Sequence, residues 1–111
     1  MLFRSRCYAL AIVGQMQQAL ADCNESLRLV PNDEYALDSR GFANLKSGQL
    51  DAAIADYDSV LKLHPNTASS LYGRGVAKLR KGDSSGGNAD IAAAKAIQVN
   101  IDEEFSRDGV K

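Results

Sequence analysis

Residues of several types recur along this chain at one fixed spacing of 34. Pro31 is followed by Pro65, and Gly14 by Gly48 and Gly82. Gly41, Gly75 and Gly109 form a second glycine series. Arg6, Arg40 and Arg74 keep the interval, as do Asp22, Asp56 and Asp90. Ala19 and Ala53, Leu27 and Leu61, and Leu29 and Leu63 fall in the same phase. A period of this length limits the fold to stacked supersecondary units, because each unit is too small to bury its own apolar face.

Each period divides into two helical patterns. In the middle unit the first runs from Glu34 to Lys46, with Leu37, Gly41, Asn44 and Leu45 on one face. It stops at Ser47-Gly48, a helix-ending pair. The second runs from Leu50 to Leu63 with a broad apolar stripe, and Pro65 prevents its continuation. The spacing predicts helices over Leu2 to Val13 and Gln15 to Val30 in the first unit, and over Ala68 to Arg80 and Ser84 to Gln98 in the third. Connections this short force each pair into an antiparallel hairpin. Gly86 and Gly87 cost the last of these helices roughly 1 kcal/mol each relative to alanine, so it is expected to fray most easily.

The period and plan resemble the tetratricopeptide repeat. That family is described by a tryptophan, a leucine-glycine pair and a tyrosine in the first helix, an alanine and an aromatic in the second, and a closing proline. The middle unit matches best, with Leu37, Arg40-Gly41, Asn44, Ala53, Tyr57 and Pro65 at these positions. The first unit supplies Phe3, Arg6-Cys7, Leu10, Ala19, Cys23 and Pro31. The third supplies Leu71, Arg74-Gly75, Lys78, Gly87, Ile91 and Val99. The resemblance implies an all-α fold: a right-handed solenoid of antiparallel helix hairpins, with repeats at about 1–33, 34–67 and 68–101 in a single domain. Residues 102–111 keep the phase, with Phe105 at the large apolar position and Gly109 at the glycine position. They resemble a partial fourth hairpin or a capping helix, so the chain is either a piece of a longer array or one that covers its own last repeat.

Small residues have a packing reason in this plan. Cys7, Gly41 and Gly75 are expected to face Ala19, Ala53 and Gly87, where only small side chains let two helices approach. Cys7 and Cys23 fall on facing helices of one hairpin. Two buried free thiols are the simpler reading, and a disulfide is the alternative.

By the same resemblance, the first helix of each hairpin lines the concave surface. The candidate peptide groove then comprises Tyr8, Tyr35, Asp38, Phe42, Lys46, Tyr72, Val76 and Arg80, with Arg4 also facing inward. Tyr8, Phe42 and Tyr72 form an aromatic spine, suited to recognition because aromatic rings bury much area at modest entropic cost. Some members of the family clamp an acidic C-terminal peptide with lysines and asparagines. Asp38, Phe42, Tyr72 and Val76 do not make that clamp, and a mixed apolar and polar peptide or helix is the expected partner.

Little in the sequence suggests catalysis. His64 is the only histidine and sits in a helix-ending turn. No metal-ligand spacing is present, and no cofactor is expected. The stretch from Gly82 to Gly87 lacks the lysine of a phosphate loop. Asp56 recurs as Asp22 and Asp90, which fits a solvent-facing or structural position better than a catalytic one. A formal net charge of -1 gives no basic surface for nucleic acid or for an anionic membrane. The expected function is therefore a non-enzymatic, cytoplasmic, protein- or peptide-binding adaptor that uses the concave groove. The alternative is a structural module that self-associates through the open solenoid ends, as a homo-oligomer, without a groove ligand.

Overall fold

A computed structural model describes residues 2–110, with side chains described from residue 5 onward. The expectations placed on Phe3 and Arg4 therefore lie outside the described side chains. The described chain is helical throughout its length: α1 (Leu2–Ile12), α2 (Met16–Leu29), α3 (Glu34–Lys46), α4 (Leu50–Leu63), α5 (Ala68–Arg80), α6 (Ser84–Ile97) and α7 (Ile101–Arg107). The bounds of α3, α4 and α5 are those the periodicity predicts. The pairs α1–α2, α3–α4 and α5–α6 pack as hairpins, and each hairpin stacks on the next.

The 34-residue series now have structural reasons. Gly14, Gly48 and Gly82 each follow a first helix with positive φ, 81° at Gly48. In this left-handed conformation the Gly48 amide bonds to the Leu45 carbonyl and the next amide, of Gln49, bonds to the Asn44 carbonyl. Two helix-end carbonyls are thereby satisfied, and glycine is the residue that reaches this conformation without a Cβ clash. The arginine and aspartate series join into a ladder. Arg6 grips Asp22 at 2.5 and 2.9 Å. Arg40 grips Asp56 at 3.0 and 2.7 Å, and Arg74 grips Asp90 at 2.8 and 2.9 Å. The aspartates are buried, with 5–8% exposure, so the series is structural and not solvent-facing. Each bidentate pair ties the two helices of one hairpin together. The remaining guanidinium nitrogen reaches the preceding hairpin, from Arg40 to Asn24 and from Arg74 to Asp58, both at 2.9 Å.

The arginines set the charge of their partners. The hydrogen bond from Arg6 holds the Asp22 carboxyl below the ordinary carboxylate range. Burial pushes Asp90 upward, but hydrogen bonds from Arg74 and Lys78 outweigh it and leave its pKa lowered.

Packing inside the hairpins corrects one detail of the sequence reading. Gly41 does not chiefly face Ala53. A Cβ there would lie 2.9 Å from the ring of Tyr57. From the other side a Cβ at Gly73 would lie 2.4 Å from the same ring, so Tyr57 is seated between two glycines and is 1% exposed. In the first hairpin the equivalent pair is Cys7 and Cys23. Both are fully buried, and they form a disulfide with Cα atoms 5.3 Å apart. The simpler expectation of two free thiols is thus overturned: the register that sets glycine against tyrosine in the middle hairpin sets cysteine against cysteine here. The helix interrupted by Gly86 and Gly87 forms in full. Asp83 caps it by accepting from the Gly86 amide at 2.9 Å, and Gly87 lies where a Cβ would come 2.8 Å from the Gly75 carbonyl.

The chain's end departs from the expected phase. Gly109 does not take the mid-helix position of Gly41 and Gly75. It has φ +100° and ends α7, with its amide bonded to Ser106 and that of Val110 bonded to Phe105. A first helix of full length therefore does not form in this segment.

Candidate ligand groove

The candidate groove residues come mainly from α1, α3 and α5, and the structure brings five of the eight into one aromatic and basic surface. Tyr8 of α1 stands 6.4 Å from Tyr35 and 5.4 Å from Phe42, ring centre to ring centre. Lys46, at the end of α3, lies over the Phe42 ring at 5.6 Å. Tyr72 of α5 completes the spine through an intermediate that the sequence reading did not place there, Phe105 of α7. Phe105 packs edge-on against Phe42 at 5.8 Å and tilted against Tyr72 at 4.7 Å.

The helix α7 lies across this surface. The Tyr8 hydroxyl donates to Asp108 Oδ2 at 2.5 Å. Lys46 Nζ donates to the Asp108 carbonyl at 3.1 Å and to the Ile12 carbonyl at 2.9 Å. One ammonium thus sits at the C-terminal ends of two helices, α1 and α7, where unpaired carbonyls and the helix dipole favour a cation. Ile101, Phe105 and Val110 are at most 5% exposed and belong to the same apolar cluster as Phe42, Leu71 and Val76. Phe42 and Val76 are consequently buried, although the sequence alone puts them on an open surface.

The other three candidates separate. Val76 is core. Asp38 links hairpins, accepting from Ser69 Oγ at 3.1 Å and from Ser70 Oγ at 2.6 Å. Burial raises its pKa, opposed by the two serine hydrogen bonds. Arg80 is exposed at the end of α5. Beside Asp38, a cleft of about 530 Å³ opens at the N-terminal ends of α3 and α5, lined by Asp33, Glu34, Tyr35, Asp38, Thr67 and Ser69. The inner surface is therefore polar in its charge, with Asp33, Glu34 and Asp38 at the N-cap and in the first half of α3 and Lys46 at its end.

The Tyr8 hydroxyl is held protonated. Burial raises its pKa most, and the hydrogen bond to Asp108 adds to the rise. It is a donor across the physiological range. Among the described residues no group of histidine, cysteine, aspartate and glutamate is arranged to hold a metal ion.

A family model described as the TPR repeat matches residues 45–82, from the end of α3 through α4 and α5. Over that stretch the chain is similar to the tetratricopeptide repeat. A tetratricopeptide-repeat chain is in general a protein-interaction scaffold, and the family is generally non-catalytic. No curated protein matches the chain. Among the described residues, no helix is long and apolar enough to cross a membrane.

The residues missed from the sequence are Asp108, which belongs to no repeat series, and Val110, which stands 34 residues after Val76. Phe105 carries a signal, as the only aromatic after Tyr72, but its phase assigns it to a different neighbour.

Proposed function

We propose that this chain is a protein-binding adaptor whose inner surface, formed by Tyr8, Tyr35, Phe42, Lys46 and Tyr72, receives a short segment of another protein. The observation that carries this reading is α7 itself. A segment of seven residues is too short to hold a helix in water unaided. Its helical form on this surface is supported by aromatic packing, a carboxylate hydrogen bond and a lysine at its end. The same surface can present these groups to a segment of similar size, the helix-in-groove mode of recognition. The cleft by Asp38 extends the surface toward basic or hydroxyl-bearing side chains. The Cys7–Cys23 disulfide supports an oxidising compartment in place of the cytoplasm, since such bonds are rare where glutathione keeps thiols reduced.

Selection of twelve-residue peptides from a displayed library on the intact chain tests the reading. Enriched peptides should be lost on Lys46→Glu and retained on Lys62→Glu, which lies exposed on α4. Enrichment indifferent to Lys46 would remove the groove from the function. Concentration-dependent association in sedimentation, with no peptide enriched, would favour self-association instead.

A further inference from the structure

The inner face is filled, and what fills it states the chemistry it accepts. Phe105 occupies the slot between the Phe42 and Tyr72 rings. Four residues earlier, Ile101 is fully buried in the same cluster. Three residues later, the Asp108 carboxylate takes the Tyr8 hydroxyl. The main-chain carbonyl of Asp108, one of the groups a helix leaves unpaired at its end, takes Lys46 Nζ. The spacing of four and three residues puts Ile101, Phe105 and Asp108 along one helical face. Tyr8 and Lys46 both donate, so the site that receives Asp108 favours a carboxylate and disfavours an amine. At the N-cap and in the first half of α3, Asp33, Glu34 and Asp38 repel a carboxylate, which fixes the direction in which an acidic segment can lie.

Resting on the reading that the inner face takes a protein segment, we infer that it selects a short helix of another protein with an aliphatic side chain, an aromatic four residues later and a carboxylate three residues after that, and that α7 is the built-in competitor for this ligand. The connector between α6 and α7 is three residues long, so α7 is presented to the groove at high effective concentration. For short flexible tethers this reaches the millimolar range, and an incoming segment must exceed that threshold to displace it. Few contacts other than those at Phe105, Asp108 and the apolar cluster hold α7. The Gln98 side chain donates to Glu104 at 2.8 Å, and Lys95 stands 3.5 Å from Asp102, both near the start of the helix. The Lys95–Asp102 pair, with both side chains well exposed, adds little. Displacement therefore exposes the groove while leaving the three hairpins, with their own arginine–aspartate ties, in place.

A fluorescently labelled peptide with the sequence of residues 100–111 tests the inference by anisotropy against the intact chain and its Phe105→Ala variant. In the variant the tethered helix loses its anchor while the groove residues remain. Saturable binding is expected, tighter to the variant by about tenfold or more, the factor that about 1.4 kcal/mol of lost competition gives. Replacing the peptide's phenylalanine by alanine, or its first aspartate after that phenylalanine by asparagine, should each weaken binding by about tenfold for the same reason. Equal affinity for parent and variant, or indifference to the peptide's phenylalanine, would overturn the inference. Should Phe105→Ala prove unfolded by circular dichroism, Asp108→Asn loosens the tethered helix without touching the core, and the same order of affinities is expected. Peptides of a different pattern that bind through Lys46, while this peptide binds to neither protein, would overturn the inferred pattern and leave the scaffold reading intact.

Discussion

The Tyr8 hydroxyl donates to the Asp108 carboxylate at 2.5 Å across a sequence separation of 100 residues. This bond ties the first helix to the turn after the last one, and so closes α7 over the inner surface. Tyr8→Phe keeps the ring against Phe42 and removes the donor, leaving a half-buried carboxylate without its partner. A loss of about 1 kcal/mol is expected for a part-buried bond of this type. The melting temperature should fall by about 4–8 °C, and amides of residues 101–110 should exchange faster than those of α3 and α5. The pKa of Tyr8 is raised in the folded chain, so its contribution is fully present below the free tyrosine value of about 10 and is lost as pH rises through the folded value. Unchanged exchange in residues 101–110 would show that the bond does not hold α7.

The reach of the sequence is visible in this pair. Tyr8 is legible as an inward residue because its position follows from the repeat register. Asp108 is not, because its role depends on α7 ending early, at Arg107, and no periodic position encodes that end. The same contrast holds elsewhere. The glycines that end α1, α3 and α5, and the arginine–aspartate ladder, recur at every unit, so the period alone displays them. Gly109 shares the phase of Gly41 and Gly75 but ends a helix, because phase records spacing and not backbone conformation. Phe42 and Val76 read as open surface because a local pattern is silent on what a distant segment covers.

Asp38 offers a test whose sign runs against intuition for a hydrogen-bonded carboxylate. Its pKa is raised, chiefly by burial, with Ser70 and Ser69 opposing. A group raised in this way favours folding fully below the unfolded value of about 4, and that advantage is lost as pH rises through the folded value. At neutral pH the ionised side chain is thus a cost. Asp38→Asn keeps a carbonyl acceptor for one serine and removes the charge. Its melting temperature at pH 7 should equal or exceed that of the parent, and the difference should shrink as pH approaches 4. A lower melting temperature at pH 7 would show that the serine hydrogen bonds outweigh the burial of charge.

The disulfide between Cys7 and Cys23 closes a loop with a sequence separation of 16 between fully buried partners. A cross-link of this span stabilises by about 3 kcal/mol, chiefly by restricting the unfolded chain. Reductant should therefore lower the melting temperature by on the order of 10 °C. Because neither sulfur is exposed, reduction of the folded chain should be slow and should accelerate in denaturant. Alkylation in denaturant without reductant is the direct check: labelling of both cysteines would mean that the pair is not bonded.

Gly87 opposes two effects of similar size. Alanine at a helix interior gains roughly 1 kcal/mol over glycine, which predicts that Gly87→Ala stabilises α6. The added Cβ would, however, stand 2.8 Å from the Gly75 carbonyl and 2.7 Å from Leu79 Cγ. The carbonyl belongs to the backbone of α5 and cannot rotate away, so the two helices must separate. Overpacking of this kind costs typically about 1–3 kcal/mol. The net effect expected is a lower melting temperature. Gly86→Ala is the control, because the atoms nearest its Cβ are those of the Asp83 carboxylate, a side chain free to move at the loss of its cap. It should cost less than Gly87→Ala. A Gly87→Ala variant more stable than its parent would show that α5 and α6 have room to spare, and that helix propensity, not close approach, decides this position.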